Sequence, residues 1–392
     1  MQRNIFALLW GAATIALMPL AACNIERKGD EQANQTVAAT ESADPMGSND
    51  DPNATLAAED RPRPLMQAQV VLDRLGFTPG VIDDKMGMST VNAIKGFQEA
   101  RGLPITGELD QATQQALAEW KHIPATRVVT ISEDFANDQF VTIPKEREDQ
   151  AKLPKMGYSS LAEKIAERFH TTDEVLAELN PQLTGAAAGA AGVPTSNEAM
   201  PAAANEAAPA VAIAYKAGMQ LRVPNIGADR FDPSAVKDAN WATTLRQLGV
   251  GTDQPKAASI EVDKSDSVLR VLDSQGKLLA QFTATMGSSQ FPLPIGTWKI
   301  RGVGYNPPWQ YDPSLLANAD KSDPKLEIPP GPNSPIGVVW IDLSKEHYGI
   351  HGTDEPSHIG RAESNGCIRL TNWDAARLAQ MVGSDIKAVF RV

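Results

Sequence analysis

A histidine and a cysteine near the C-terminal end of the chain could together carry out acyl transfer. His351 precedes Cys367 by 16 residues, far enough for the two to lie on neighbouring strands. An imidazole beside a thiol can remove its proton and turn the sulfur into a nucleophile. Gly366 would let backbone N–H groups approach a developing oxyanion, and Arg369 could favour the thiolate or bind a carboxylate. These residue types indicate covalent catalysis through sulfur, and a purely structural cysteine is the alternative.

The segment 257–392, which contains this pair, alternates apolar and polar residues as β-strands do. Its one predicted helix begins after Asn372 as the N-cap and extends to about Met381, before Gly383. The pattern predicts a mainly-β unit with a closed or sandwiched sheet. Strands are predicted at 268–273, 278–285, 296–300, 337–343, 348–351 and 387–392.

A smaller helical unit is predicted at 65–121. Its apolar residues recur at helical spacing in three short stretches, and Ser89 and Asp110 stand where helix N-caps are expected. The glycines within 76–87 are typical of tight turns. We therefore expect three short amphipathic helices in this unit.

Between these units, residues 156–225 have the order of two short helices between strands. An Ala-rich stretch at 184–210 interrupts them, and its interspersed glycines and prolines favour a disordered insertion. The whole chain is therefore predicted to be a multidomain α+β protein.

The N-terminus has the pattern of an export signal. After Arg3, an apolar run extends from Ile5 to Ala22 and is followed by Cys23. About 18 apolar residues are marginal for a membrane span, and small residues before Cys23 suit signal-peptide cleavage. An ordinary secretory peptide and a single anchor helix are the alternatives to a lipid-modified Cys23. Residues 24–64 are rich in Ala, Asp, Glu, Asn, Ser and Thr, which predicts a flexible tether.

The composition excludes several classes of protein. With 42% hydrophobic and 21% charged residues, the chain is not a protein with many membrane spans. Its 36 Lys and Arg against 48 Asp and Glu leave a net charge of -12, which would repel nucleic acid. Two cysteines cannot form a disulfide framework, and no His-x-x-x-His pattern or cysteine cluster indicates a metal site.

The residues around Cys367 resemble the signature of the YkuD-type L,D-transpeptidases, including the ErfK/YbiS/YcfS/YnhG-like proteins. The matching residues are Ile350-His351-Gly352-Thr353, Ile359-Gly360, Ser364, Gly366-Cys367-Ile368-Arg369-Leu370, Asn372 and Asp374. Met286-Gly287 and the segments 292–298 and 328–337 are also similar to the family. The resemblance covers 257–392 and implies a mainly-β catalytic domain.

This resemblance makes Cys367 the nucleophile and His351 the proton acceptor. The other residues expected to form the oxyanion and substrate-binding site are Gly352, Thr353, Ser364, Asn365, Gly366 and Arg369. Asn365 stands where the family usually has a second histidine. An amide can form hydrogen bonds but cannot shuttle protons, so we expect activity to survive. His358 is expected to be a loop residue or a substrate contact.

The resemblance also implies a reaction on peptidoglycan. Cys367 would attack the third residue of a donor tetrapeptide stem, release D-alanine and form a thioester. An amine of a second stem would then complete a 3-3 cross-link, with water, a free D-amino acid or the lysine of a lipoprotein as other acceptors. No metal or other cofactor is implied. The alternative is a catalytically silent peptidoglycan-binding protein.

The two other units resemble wall-binding modules. Residues 65–121 are similar to the peptidoglycan-binding domain of bacterial wall enzymes, in features such as Val81-Ile82-Asp83 and Phe97-Gln98. Residues 156–225 resemble a LysM glycan-binding module with a lengthened loop, although the usual Gly-Asp-Thr is absent. Glycan strands and stem peptides are the implied partners. A small helical bundle and a structural spacer are the respective alternatives.

The segment 1–23 resembles a bacterial lipoprotein signal, which implies that Cys23 is acylated. Because Asn24 rather than aspartate follows Cys23, the resemblance implies the outer membrane of a Gram-negative bacterium. The chain is therefore expected to be a periplasmic protein held to the membrane by its lipid anchor.

Overall fold

The structure is a computed structural model that describes residues 61–188, 213–227, 231–316, 319–361, 364 and 366–392. The predicted signal 1–23 with Cys23, nearly all of the predicted tether 24–64, and Asn365 lie outside the described residues. Within the described ranges, no helix is both long enough and apolar enough to cross a membrane.

The N-terminal unit (61–121) is mainly helical. Its elements are α1 (Pro64–Arg74), β1 (Phe77–Thr78), α2 (Met88–Ala100) and α3 (Gln111–Leu117), followed by a 3-10 turn at Ala118–Trp120. Leu72, Ile94 and Phe97 lie buried between the helices, which explains the helical spacing of the apolar residues.

The two predicted helix caps of this unit differ in outcome. Asp110 accepts a 2.8 Å hydrogen bond from the Thr113 N–H and caps α3. Ser89 is not a cap, because α2 already begins at Met88 with Gly87 as its N-cap. Ser89 therefore lies inside the first turn of α2, and that prediction is wrong.

The middle unit (126–227) is built on β2 (Thr126–Thr130), which pairs antiparallel with β3 (Gln220–Pro224). Between the two strands lie α4 (Glu133–Ala136), α5 (Arg147–Gln150), α6 (Leu161–Arg168), α7 (Asp173–Leu179) and α8 (Pro181–Ala188). The strand that pairs with β3 begins about 30 residues before residue 156, where the sequence predicts the start of this module. Residues 184–188 of the Ala-rich stretch continue α8, and 189–210 lie outside the described residues.

The C-terminal unit (257–392) is mainly β and follows α9 (Ala239–Gln247). Its strands are β4 (Ser259–Asp263), β5 (Val268–Leu272), β6 (Leu278–Thr283), β7 (Thr285–Met286), β8 (Gly296–Tyr305), β9 (Trp309–Tyr311), β10 (Leu326–Ile328), β11 (Val339–Leu343), β12 (Gly349–His351), β13 (Ile368–Arg369) and β14 (Lys387–Arg391). Among the described residues, ten strands form one sheet in the order β1-β6-β5-β4-β14-β8-β11-β12-β13-β7. β9 and β10 pair separately.

The long strand β8 joins the two halves of this sheet. Residues 296–299 pair with β14, and residues 300–305 pair with β11. Apolar side chains of both halves, such as Ile260 and Ile350, enter one core with Trp373 of α10 (Asn372–Met381). The sheet therefore folds over its core, and among the described residues its edge strands β1 and β7 do not pair with each other. Of the two predicted forms, closed or sandwiched, the arrangement corresponds to the sandwiched one.

The N-terminal cap of α10 is Thr371, whose hydroxyl accepts a 3.2 Å hydrogen bond from the Asp374 N–H. Asn372 is the first residue of the helix, so its prediction as the cap is wrong. Its side chain is free to bond elsewhere, which matters for the site described below.

β1 attaches the N-terminal unit to the C-terminal sheet. The sequence predicts a turn in this region, but Phe77 and Thr78 pair in parallel with Gln281 and Phe282 of β6. The N-terminal unit therefore extends the sheet of the C-terminal unit.

A buried polar junction joins all three units. Arg377 of α10 donates to both carboxylate oxygens of Asp73 in α1, at 3.0 Å each. Nδ1 of His170, in the middle unit, lies 3.3 Å from the same carboxylate, and Nε2 lies 2.9 Å from the Leu248 carbonyl. The His170 ring stacks on Trp373 with centroids 4.7 Å apart. The three units are thus packed directly against one another around α10.

Candidate active site

The sheet register places Trp340, His351 and Arg369 side by side on one face. Trp340 of β11 pairs with His351 of β12, which in turn pairs with Arg369 of β13. The indole and imidazole rings stack with centroids 5.5 Å apart and an interplanar angle of 16°. The imidazole is 4% exposed, so the indole and the neighbouring strands hold its plane.

One hydrogen bond selects the tautomer of His351. Its Nδ1 lies 2.7 Å from the carbonyl oxygen of Gly352. A carbonyl can only accept, so Nδ1 must carry the proton, and Nε2 keeps its lone pair in the neutral ring. Nε2 is therefore the atom that can take a proton from a nucleophile.

Burial keeps this imidazole neutral. The pKa of His351 falls from 6.5 to about 3: burial is the largest cause, the positive charge of Arg369 acts in the same direction, and the bond to Gly352 opposes both. The ring is therefore an uncharged base across the physiological pH range.

Cys367 is half-buried and shares the face of His351. Continuing the β12–β13 register puts Cys367 opposite Gly349, two positions before His351 along the neighbouring strand. Sγ lies 3.9 Å from the carbonyl oxygen of His347. Across the described part of the chain, no hydrogen bond joins Sγ to the His351 ring. The structure therefore makes the two side chains neighbours without bonding them.

The thiol of Cys367 is protonated at neutral pH. Burial raises its pKa above the ordinary value, although the Gly349 N–H that donates to the sulfur and the charge of Arg369 both lower it. The expected thiolate, favoured by Arg369, is therefore not the resting form, because desolvation of the anion is the larger effect.

Ser364 holds the backbone around the cysteine. Its hydroxyl donates to the Cys367 carbonyl at 2.6 Å and accepts from the N–H groups of Gly287 and Gly366 at 2.7 and 3.3 Å. The Gly366 N–H is thus engaged by Ser364 in this conformation. Gly366 has a φ of 102°, and a Cβ there would lie 2.8 Å from the Tyr348 ring, so only glycine fits.

Asn372 packs against the residue that holds the base. A Cβ on Gly352 or on Gly337 would overlap the side-chain oxygen of Asn372. The same oxygen accepts a 3.3 Å hydrogen bond from the Val338 N–H. The loop from Gly337 to Val338 and the loop at Gly352 therefore meet at this one amide.

Three other predicted or nearby residues lie at the edge of the site. Thr353 is buried and accepts a 3.1 Å hydrogen bond from the Glu355 N–H, which shapes the loop after β12. His358 is exposed and lies 3.3 Å from Glu355, as expected of a loop residue, and His347 is exposed near Glu346. Asn365 lies outside the described residues.

Arg369 brings a positive charge to this face. Its Nε is buried and has no hydrogen-bond partner among the described residues. An unpaired buried guanidinium nitrogen beside a base is suited to a carboxylate supplied by a ligand.

Across the described residues, no three His, Cys, Asp or Glu side chains come together as a metal ion would require.

Two segments of the chain match known protein families. Residues 257–389 match the YkuD family, the L,D-transpeptidase catalytic domain, and residues 63–117 match a family described as "Putative peptidoglycan binding domain". A Fuscovulum blasticum protein named "Putative L,D-transpeptidase in ATP synthase subunits region ORF 5" is 30% identical over 185 residues, which are 47% of this chain and 96% of that protein. The chain belongs to the L,D-transpeptidase (YkuD) family. Both the predicted catalytic domain and the predicted peptidoglycan-binding domain are confirmed.

Other relatives of this L,D-transpeptidase family match shorter parts. A Bacillus licheniformis protein named "Putative L,D-transpeptidase YkuD" is 57% identical over 53 residues, so the chain spans 32% of that relative's length. A solved L,D-transpeptidase from Mycobacterium smegmatis aligns with 34% of this chain and 58% of that chain at 21% identity, with a TM-score of 0.28. The family assignment therefore rests on the family models and on the Fuscovulum blasticum protein.

The L,D-transpeptidase motif does not identify every residue of the site. Trp340 lies in a predicted strand, but its stacking on His351 follows only from the register of β11 and β12. Gly349 leaves room for the indole, and its N–H reaches the sulfur of Cys367. The signal for Gly349 is its position two residues before the predicted base.

Proposed function

We propose that the chain is a peptidoglycan L,D-transpeptidase that acts through a thioester on Cys367. One observation carries the proposal: the neutral His351 ring, with Nε2 unprotonated, shares a sheet face with the half-buried thiol and with Arg369, whose Nε has no hydrogen-bond partner among the described residues. A nucleophile, a base and a carboxylate-binding group are the parts that acyl transfer from a peptide requires.

The first half-reaction transfers the donor acyl group to sulfur. Because the thiol and the imidazole are both neutral, the proton passes from Sγ to Nε2 as sulfur bonds to the carbonyl carbon of the third stem residue. The imidazolium returns this proton to the nitrogen of D-alanine as the C–N bond breaks. The free D-alanine leaves, a thioester remains on Cys367, and Arg369 is placed to bind the carboxylate of the donor.

The second half-reaction releases the enzyme. The side-chain amine of a diamino acid on another stem attacks the thioester and gives its proton to Nε2. The C–S bond breaks, the thiol regains a proton from the imidazolium, and the product is a 3-3 cross-link. Water, a free D-amino acid or the lysine of a lipoprotein would give trimming, exchange or protein attachment instead.

A catalytically silent wall-binding protein is the second candidate. It is favoured by the contact between Sγ and the His347 carbonyl, because that contact directs the sulfur away from His351. The transpeptidase hypothesis requires the sulfur to turn toward Nε2 when the substrate binds. Catalytic hydrogen bonds are often long in unliganded enzymes and shorten in the substrate complex.

The remaining units would hold the enzyme at the wall. We infer that the N-terminal unit binds peptidoglycan. We also infer that the middle unit is a LysM-like module, in which α6 and α7, two of the five described helices between β2 and β3, correspond to the helices of that module. Contacts such as the 2.9 Å bond from Arg74 to the Asn225 carbonyl instead favour a spacer role for the middle unit. We also infer a lipid anchor on Cys23 and a periplasmic location at the outer membrane.

Incubation of the reduced full chain with disaccharide-tetrapeptide muropeptides tests the proposal. We expect mass spectrometry to find free D-alanine and a 3-3 cross-linked dimer, with neither product from Cys367→Ala. Asn365→Ala should reduce the yield without abolishing it, since an amide there orients but does not transfer protons. No product from the wild-type chain would favour the silent protein.

A further inference from the structure

Glu167, on α6 of the middle unit, reaches into the C-terminal unit. Its carboxylate accepts a 2.7 Å hydrogen bond from Nδ2 of Asn372 and another from the hydroxyl of Tyr158. Glu167 is 7% exposed. A carboxylate this buried is costly unless donors surround it, so its placement against a residue of the catalytic motif calls for a specific role.

Asn372 carries this contact to the backbone beside the base. Its Nδ2 also donates to the Pro332 carbonyl at 3.1 Å, and its Oδ1 accepts from the Val338 N–H at 3.3 Å. With two acceptors at one end and a donor at the other, the amide has a single satisfied orientation. The oxygen in that orientation packs against Gly352.

Gly352 transmits this contact to the ring of His351, because its carbonyl accepts the Nδ1 hydrogen bond. A shift of that carbonyl would turn the imidazole and redirect Nε2. Small displacements of a base are costly, since misplacement by about 1 Å can reduce a rate by roughly a hundredfold.

We propose that Glu167 is a positioning residue that orients the imidazole of His351 through Asn372 and Gly352. This inference rests on the proposed function, and it makes the middle unit a part of the active site's support rather than only a wall-binding or spacer module.

The same helix provides a matched control. Glu163, one turn before Glu167, accepts a 2.7 Å hydrogen bond from Nδ2 of Asn333 in the C-terminal unit. It thus also bonds across the interface, but to a residue that does not contact Gly352 in the described network. Glu163→Ala removes this interface bond and the bond from the Ser159 N–H, but it keeps the carboxylate of Glu167 that Asn372 donates to.

The first readout is the imidazole Nδ1–H of His351, observed by NMR in the full chain labelled with ¹⁵N-histidine. A proton bonded to the Gly352 carbonyl exchanges slowly and resonates downfield, and its loss in His351→Gln assigns it. We expect Glu167→Ala to lose or shift this signal. Glu167→Gln should keep it, because the amide oxygen still accepts from Asn372, and Glu163→Ala should keep it too. An unshifted signal in Glu167→Ala overturns the proposal.

The second readout is turnover of the tetrapeptide muropeptide. We expect kcat to fall roughly tenfold in Glu167→Ala with KM little changed, and to stay within about threefold of wild type in Glu167→Gln and Glu163→Ala. Equal kcat in Glu167→Ala and wild type contradicts the inference. No turnover in the wild-type chain would count against the proposed function, while the histidine signal still decides the position of the ring. If Glu167→Ala does not fold, Glu167→Asp, one methylene too short to reach Asn372, carries the same expectations.

Discussion

His170 and His351 are both buried and each stacks on a tryptophan, yet their hydrogen bonds differ. Both ring nitrogens of His170 face acceptors, the Asp73 carboxylate and the Leu248 carbonyl. Among the described residues, His351 has such a partner at Nδ1 and none at Nε2. Both nitrogens of the His170 ring are thus engaged by neighbouring oxygens, whereas Nε2 of His351 is open to a proton.

Arg377 and Arg369 differ in the same way, in how completely their hydrogen bonds are satisfied. The guanidinium of Arg377 donates to both carboxylate oxygens of Asp73, whereas Nε of Arg369 has no hydrogen-bond partner in the described part of the chain. Buried polar groups that are bonded on every side stabilise a fold, and those left incomplete are often reserved for a ligand or a reaction. The junction therefore holds the units together, and the sheet face at Cys367 is where we place the proposed chemistry.

Replacing each histidine by alanine is the sharpest way to break this comparison. We expect His351→Ala to lower muropeptide turnover about a thousandfold, because the proton acceptor is lost, and to lower the free energy of unfolding by less than His170→Ala does, because one ring hydrogen bond is removed rather than two. His170→Ala should do the reverse: less stable protein, with turnover per folded molecule within a few-fold of wild type. Urea denaturation and turnover assays on both variants measure the two effects. Full activity of His351→Ala would show that another group is the base.

The junction itself is tested by Asp73→Ala. Removing this carboxylate takes away the counter-ion of the buried Arg377 guanidinium, which should lower the free energy of unfolding by about 3–5 kcal/mol. The control is Asp266→Ala, which removes an exposed 3.1 Å ion pair with Lys95 and should cost less than about 1 kcal/mol. Equal effects of the two substitutions in denaturant titrations would mean that the junction is not a major source of stability.

Asp374 connects the junction to pH. Burial raises its pKa from 3.8 to about 7, so the folded state holds the proton more tightly than the unfolded state does. The contribution of Asp374 to the free energy of unfolding is therefore greatest below about pH 4. It is lost as the pH rises toward 7, by about 1.4 kcal/mol per pH unit. We expect Asp374→Asn to remove that slope, as measured by the free energy of unfolding from pH 4 to 8. A slope equal to that of wild type would show that Asp374 does not titrate in this range.

Arg369→Gln should give the smallest effect on the base. The guanidinium lowers the pKa of His351, so its removal raises that pKa, while burial still keeps it below 6.5. The acid limb of the pH profile of kcat/KM should therefore move to higher pH by less than about one unit. KM should rise at the same time if Arg369 binds the donor carboxylate. If the acid limb does not move, the charge of Arg369 does not affect the pKa of His351.

The candidate nucleophile and base are visible in the sequence because they lie in one short motif. Cys367 and His351 are 16 residues apart, and strand pairing alone brings them to one face. Their protonation is not visible, because it depends on how deeply the finished sheet buries each group. The sequence favours a thiolate, and burial reverses that preference.

The contacts between units are equally hidden in the sequence. Asp73 and Arg377 are separated by 304 residues, so no local pattern links them. Likewise, β2 precedes its partner β3 by about 90 residues, so local periodicity does not predict that the two strands pair. Local patterns predict the elements, whereas their long-range pairing requires the structure.

The central claim, that Cys367 is a working nucleophile served by His351, is tested most directly by intact-mass measurement after exposure to a carbapenem. The strained β-lactam is an acyl donor that needs no second substrate. We predict that the reduced wild-type chain gains the mass of one carbapenem, that Cys367→Ala gains none, and that His351→Ala gains it much more slowly. An unmodified wild-type chain, or the same adduct on Cys367→Ala, would contradict the account.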